Sequence, residues 1–131
     1  MKTLQVRSIR PIEMIDISAD VCKVIREAGV TEGLAVVFTP HTTAAITINE
    51  NADPDVCRDL VTAINKIVPM QDGYRHLEGN SAVHLKSSLF GASETLIINN
   101  GELRLGTWQG IYFCEFDGPR QRQVQVQVIS Q

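Results

Sequence analysis

The chain has 131 residues and a mass of 14.5 kDa, with 12 basic against 15 acidic residues and a formal charge of −3. That length suits one domain over residues 1–131. The 44% hydrophobic and 21% charged content excludes a disordered or collagen-like chain, and the balanced charge gives no electrostatic case for nucleic acid or an anionic membrane.

In chain order, residues 3–9 (TLQVRSI) alternate apolar and polar, which predicts a half-buried strand. A helix opens at Ile17-Ser18, with Ser18 as its expected cap, a stripe of Val21, Val24, Ile25 and Ala28, and Gly29 at its end. Residues 33–38 (GLAVVF) are apolar on both faces and predict a central strand. After Thr-Pro-His-Thr-Thr, residues 44–49 form a second strand. Asp53-Pro54 is a strong helix start, followed by Val56, Leu60, Ile64 and Ile67 at helical spacing and closed by Pro69. Residues 70–80 lack periodicity and read as a loop. Asn80 or Ser81 is the expected cap of a short helix through Leu89, closed by Gly91. Strands at 94–98 and 102–105 flank Asn100-Gly101, a two-residue hairpin signal. Strands at 110–116 and 123–129 complete the chain, the last with Val124, Val126 and Val128 facing in. The sum is an α+β fold: a mainly antiparallel sheet or sandwich with two to three helices packed on it.

No apolar run approaches the ~18 residues of a membrane span. The N-terminus has no continuous signal-peptide core, so the expected location is cytoplasmic, without membrane or nucleic-acid partners. Cys22, Cys57 and Cys114 form no CxxC and read as free, mostly buried thiols. The phosphate-loop, dinucleotide, zinc-protease and hydrolase-elbow signatures do not occur.

The polar residues that stand out fall in connecting segments. His41 (TPHTTAA), His76 (YRHLEGN) and His84 (NSAVHLKSS) suggest a shared three-nitrogen site, with Glu50, Asp53, Glu78 or water completing it. A lone histidine in such a place is more often a hydrogen-bonded structural residue, and the spacing matches no zinc signature. Asp53 is explained as a helix cap; Asn49 and Glu50, at a strand end, are not, and Glu50 is a candidate base or metal contact. Trp108, between Gly106 and Gly110, reads first as a core residue and second as a platform for substrate. Arg120 and Arg122 follow the turn Asp117-Gly118-Pro119, and Lys86 follows His84; the three are candidate phosphate ligands.

HTTAAITINENADPDV, HLEGNSAVHLKSSLFG and NGELRLGTWQGIYFCEFDGPRQR resemble the YjbQ-like family, also known as the secondary thiamine-phosphate synthase family, and the match runs from about Phe38 to the C-terminus. The resemblance implies a compact α+β domain that forms a homotrimer. It implies that His41, His76 and His84 share a pocket near a subunit boundary. It implies a weak, secondary activity joining hydroxymethylpyrimidine diphosphate to thiazole phosphate with release of pyrophosphate. The short Gly79-Asn80-Ser81 link departs from many relatives. On this reading His41, His76, His84 and Glu50 are the catalytic set, and the three histidines would hold a divalent metal (Zn or Mg) or donate hydrogen bonds to the diphosphate. Lys86, Arg120, Arg122, Asn49 and Trp108 contact a small phosphorylated substrate. The rival readings are a non-enzymatic metal- or anion-binding trimer and a metal-dependent hydrolase.

Overall fold

A computed structural model describes residues 1–76 and 79–131. Its elements are β1 (Lys2–Arg7), β2 (Glu13–Asp16), α1 (Ser18–Ala28), β3 (Glu32–Phe38), β4 (Ala44–Glu50), α2 (Pro54–Ile67), α3 (Ser81–Phe90), β5 (Ser93–Asn99), β6 (Glu102–Leu103), β7 (Gln109–Glu115) and β8 (Gln121–Ser130). They form two antiparallel sheets, a five-stranded one ordered β1-β8-β3-β5-β6 and a three-stranded one ordered β2-β7-β4. The α+β reading therefore holds, with β3 central as expected.

The alternation in β8 sets its register. Val124 and Val126 are buried, with Val126 opposite Val37 of β3, and a one-residue slip would turn every valine outward. The inner faces of the two sheets meet in one core, where Val37, Leu96 and Val124 face Ile46, Ile111 and Phe113. Helix α1 adds Val21, Val24 and Ile25 to that core. The other face of the three-stranded sheet carries Ala45, Tyr112 and Cys114 against Val83 of α3 and Cys57 of α2. All seven residues of β7 except Gln109 are buried, because this strand is covered on both faces.

Local signals held where one residue type satisfies a backbone need. Asp53 accepts a hydrogen bond from Asp55 N–H at 2.9 Å, and Pro54 opens α2. Asn100 (φ 53°) and Gly101 (φ 78°) make the β5–β6 turn. Three expectations are corrected. Strand β2 escapes prediction because four residues carry too little periodicity. Ser18 does not cap α1: the N-cap is Ile17, Asp16 Oδ1 accepts the Ser18 N–H at 2.9 Å, and the Ser18 hydroxyl accepts from Ile111 N–H at 2.8 Å. Of the α2 stripe only Ile64 is buried, and Ile67 is 69% exposed, because α2 meets the three-stranded sheet chiefly at its edge strand β2.

The topology gathers two crossovers at one end. The β3–β4 connection (39–43) leaves the five-stranded sheet for the three-stranded one, and the β7–β8 connection (116–120) makes the return trip. Helix α3 lies beside them, with its carbonyl-terminated end tied to β4 through Ile46 N–H on Gly91 O at 3.1 Å. No helix of the described residues is long and apolar enough to cross a membrane.

Candidate functional site

The two crossovers and the start of α3 enclose a polar hollow of about 410 Å³. Its walls include His41, Thr42 and Thr43 from the first crossover, Asp117 and Arg120 from the second, Arg122 from the start of β8, and His76, Asn80 and His84 from α3 and the segment leading into it. All three histidines therefore meet in one place, as the chain of polar motifs suggested.

The wall bearing His41 is tied down on both sides. Thr39 N–H donates to Ala92 O at 2.9 Å, Ser87 Oγ donates to Thr42 O at 2.7 Å, and Phe116 N–H donates to Thr43 O at 3.2 Å. His41 Nε2 accepts the backbone N–H of Gln123 at 2.9 Å. A neutral ring that accepts at Nε2 carries its proton at Nδ1, so His41 is a fixed N–H donor. Burial first, and then the neighbouring Arg122 charge, hold the His41 pKa below its ordinary 6.5, with Glu115 opposing and Arg120 adding to the lowering. The neutral ring is thus the native form. Its contribution to stability is complete above pH 6.5 and is lost as pH falls through the lower folded value.

Beneath the hollow sits a buried ion pair. Arg122 Nε donates to Glu115 Oε1 at 2.9 Å, Nη2 donates to Glu115 Oε2, and Nη2 also reaches Thr43 Oγ1 at 2.8 Å. Glu115 is fully buried and Arg122 is 4% exposed. Ser8 Oγ donates to Glu115 Oε1 at 2.6 Å and accepts Arg120 N–H at 2.8 Å, which fixes the backbone of Arg120 to the pair. Burial by itself would raise the Glu115 pKa. Hydrogen bonds from Arg122, Ser8 and Asp117 N–H, with the Arg122 charge, bring it instead below the ordinary carboxylate value.

Arg120 faces outward. Its Nε donates to Asp117 O at 2.8 Å and its Nη2 to Asp117 Oδ2 at 3.2 Å, so Nη1 is left without a partner among the described residues. The Asp117 carboxylate also accepts from Asn80 Nδ2 at 3.4 Å, which turns Asn80 Oδ1, a buried acceptor without a hydrogen bond, the other way. Asn80 holds the N-cap position of α3 yet makes no capping bond, so the first-turn N–H groups of α3 keep no side-chain acceptor. The rings of His76 and His84 stand edge to face with centroids 5.3 Å apart.

This arrangement does not fit a metal on the three histidines. Nε2 of His41 is spent on Gln123 N–H and Nδ1 carries the ring proton, so His41 has no lone pair for a cation. Among the described residues no three His, Cys, Asp or Glu side chains form a group that could hold a metal. Donors, by contrast, are plentiful.

Several sequence candidates stand elsewhere. Lys86 is fully buried, and its Nζ donates to Asn65 Oδ1 at 2.6 Å; it lies two residues from His84 on another face of α3 and does not line the hollow. Asn49 and Glu50 sit at the far end of β4, about 20 Å from Thr43 at ~3.3 Å per residue. There Asn49 Oδ1 accepts Glu50 N–H at 2.7 Å, Glu50 O accepts the Tyr112 hydroxyl at 3.1 Å, and Asn51 N–H donates to Trp108 O at 2.9 Å. Trp108 is 62% exposed rather than in the core, because its strand begins only at Gln109. Glu78 lies outside the described residues. Ser8, Thr43, Asn80, Asp117 and Glu115 went unnoticed as site residues. Glu115 carried a signal: a lone carboxylate in the apolar run GIYFCEF must find a cation, and Arg120 and Arg122 both follow just past the turn.

The turn itself has no room for a side chain at Gly118. A Cβ there would lie 2.2 Å from Arg10 O and 2.7 Å from Ser8 Oγ. Gly118→Ala is expected to cost about 1–3 kcal/mol by overpacking, read as a lower urea midpoint with an unchanged slope.

The sequence matches the family model described as "UPF0047 protein YjbQ-like" over residues 2–131. The chain belongs to the YjbQ/UPF0047 family. It is 52% identical to the UPF0047 protein YugU of Bacillus subtilis over 131 residues, covering 99% of each chain. It is 49% identical to a UPF0047 protein of Methanocaldococcus jannaschii over 126 residues, covering 96% of this chain and 91% of that one. The crystal structure of an uncharacterized YjbQ/UPF0047 family protein from Clostridium acetobutylicum superimposes with a TM-score of 0.97 at 53% identity, covering 98% of this chain and 100% of that one. The family description names no activity, so the chemistry must be read from the hollow.

Proposed function

We propose that the hollow binds a phosphorylated small molecule through neutral and cationic N–H donors, and that it supports a weak thiamine-phosphate synthase-type transfer. The observation that carries this reading is the His41 tautomer: its ring is held by Gln123 N–H as a donor beside Arg120 and Arg122. Pyrophosphate needs hydrogen-bond donors and positive charge that are in place before the reaction begins. The open edge of Arg120 and the rings of His76 and His84 supply these at the mouth, and the His41 N–H supplies one from the wall.

In such a transfer the thiazole nitrogen uses its lone pair to form a bond to the pyrimidine methylene carbon. The bond from that carbon to the diphosphate oxygen breaks, and pyrophosphate leaves with its electron pair. No proton has to be removed, so a site whose carboxylates are already paired, Asp117 with Arg120 and Glu115 with Arg122, suits the reaction. Stabilising charge on the departing oxygens is then the main task.

The test is thiamine phosphate formation from the two precursors. His41→Ala and His84→Ala are each expected to lower turnover by about tenfold or more, ~1.4 kcal/mol or more at the transition state. Unchanged turnover in both would remove the hollow from the reaction.

A homotrimer is part of the same reading. The outer face of the five-stranded sheet exposes Leu34 (41%), Ile97 (60%) and Ile129 (49%), an apolar patch of the kind that subunits cover. Sedimentation equilibrium should return three times the chain mass, and Ile97→Lys should shift it toward a single chain. A monomer in the unaltered protein would refute the assembly.

A further inference from the structure

A second hollow of about 530 Å³ shares His41, Thr42 and His84 with the polar one and continues past them toward Ala44, Ser87, Ser88, Gly91 and Ala92. The two hollows differ in chemistry. The first has two arginines and an aspartate in its walls; the second has no Asp, Glu, Lys or Arg among its described lining residues. Its serines are not free donors either: Ser87 Oγ donates to Thr42 O at 2.7 Å, and Ser88 Oγ donates to His84 O at 2.9 Å. What remains is a floor of small side chains with hydroxyl lone pairs. Position 91 adds to the space, since Gly91 sits at φ 95° with nothing within 4 Å of where a Cβ would stand.

We infer that the ligand is bipartite: a phosphate ester whose anionic head lies among Arg120, His76 and His84 and whose uncharged, flat body lies over Ser88, Gly91 and Ala92. This inference rests on the phosphate reading above and names the substrate class for it. The head needs positive charge as well as donors, and among the described lining residues the arginines stand only in the first hollow. A charged body would lose its hydration in the second hollow without gaining a counter-charge, whereas a neutral ring loses little and gains contact with alanine and glycine carbons. His41 and His84 stand on the boundary and touch both parts, which places the junction of head and body beside them. The small residues at 91 and 92 then set how wide a body is admitted.

The test compares two monoesters with the same head charge, methyl phosphate and phenyl phosphate, by titration calorimetry. The unaltered protein is expected to bind phenyl phosphate about tenfold tighter than methyl phosphate, or more. Ala92→Leu puts a branched side chain at an exposed lining position of the second hollow and is expected to bring that ratio close to one. Ser88→Leu gives an independent second variant among the lining residues, on α3, and carries the same expectation. Equal affinity for the two esters in the unaltered protein overturns the bipartite ligand, as does a ratio untouched by both substitutions. Failure of methyl phosphate to bind at all overturns the phosphate reading first, and the inference with it.

Discussion

Arg122→Met lowers the unfolding free energy by about 3–5 kcal/mol, the cost of leaving a buried charge without its partner. Glu115 is fully buried and accepts from Arg122 Nε and Nη2, so removal of the guanidinium strands its carboxylate beside the core. Ser8 Oγ and Asp117 N–H remain as donors, but neither brings charge. The carboxylate then protonates more readily, and its pKa climbs above the ordinary value. A double variant, Arg122→Met with Glu115→Leu, is expected to recover much of the loss, because a buried pair replaced by apolar groups of similar size is often near neutral. The pH dependence follows from the same contacts. Glu115 has its folded pKa below the ordinary 4.5, so the pair's contribution is complete above pH 4.5 and is lost as pH falls through the lower folded value. Denaturant midpoints measured from pH 7 down to pH 3 should show this acid-side loss in the unaltered protein and a flatter profile in the double variant. An Arg122→Met midpoint equal to that of the unaltered protein would contradict the placement of the pair.

The second large effect is at α3. Asn65→Leu is expected to cost about 3 kcal/mol or more, since it leaves a buried ammonium without its acceptor. Lys86 Nζ donates to Asn65 Oδ1 at 2.6 Å with the lysine fully buried, and burial holds the Lys86 pKa below 10.5. A lysine with a lowered pKa penalises folding in its charged form: the contribution is complete above pH 10.5 and is lost as pH falls through the folded value. Lys86→Met removes both charge and penalty while keeping the chain length, so its stability should equal or exceed that of the unaltered protein. The pair of midpoints decides the matter. A loss in Lys86→Met as large as that in Asn65→Leu would mean that the amine makes contacts beyond Asn65.

These two effects mark where sequence reasoning reached its end. Periodicity and turn chemistry are local, so α1, α2, the Asn100-Gly101 hairpin and β8 were legible from a few neighbouring residues. Burial is not local. Lys86 looked like a phosphate ligand beside His84, but a two-residue offset on a helix turns it through roughly 200°, and that face meets Asn65 of α2. Glu50 and Trp108 looked like parts of the histidine site because motifs crowd together in the sequence. The extended geometry of β4 separates them by its whole length. The convergence of His41, His76 and His84 was suggested by residue type and by family resemblance, yet the reason they meet is tertiary: α3, which carries His84, is tied to the β3–β4 crossover that carries His41 by Ser87 Oγ on Thr42 O and Ile46 N–H on Gly91 O. The tautomer of His41 depends on a backbone N–H in β8, 82 residues away, which no spacing rule contains.

The most direct measurement is calorimetric titration of inorganic pyrophosphate into protein held in a strong chelator. Donors on His41, His84 and Arg120 form the site without a cation, so saturable binding of one pyrophosphate per chain is expected in chelator, and Arg120→Ala should weaken it by about tenfold, ~1.4 kcal/mol. Heat that appears only when Zn²⁺ or Mg²⁺ is restored, and that Arg120→Ala leaves untouched, would contradict the account.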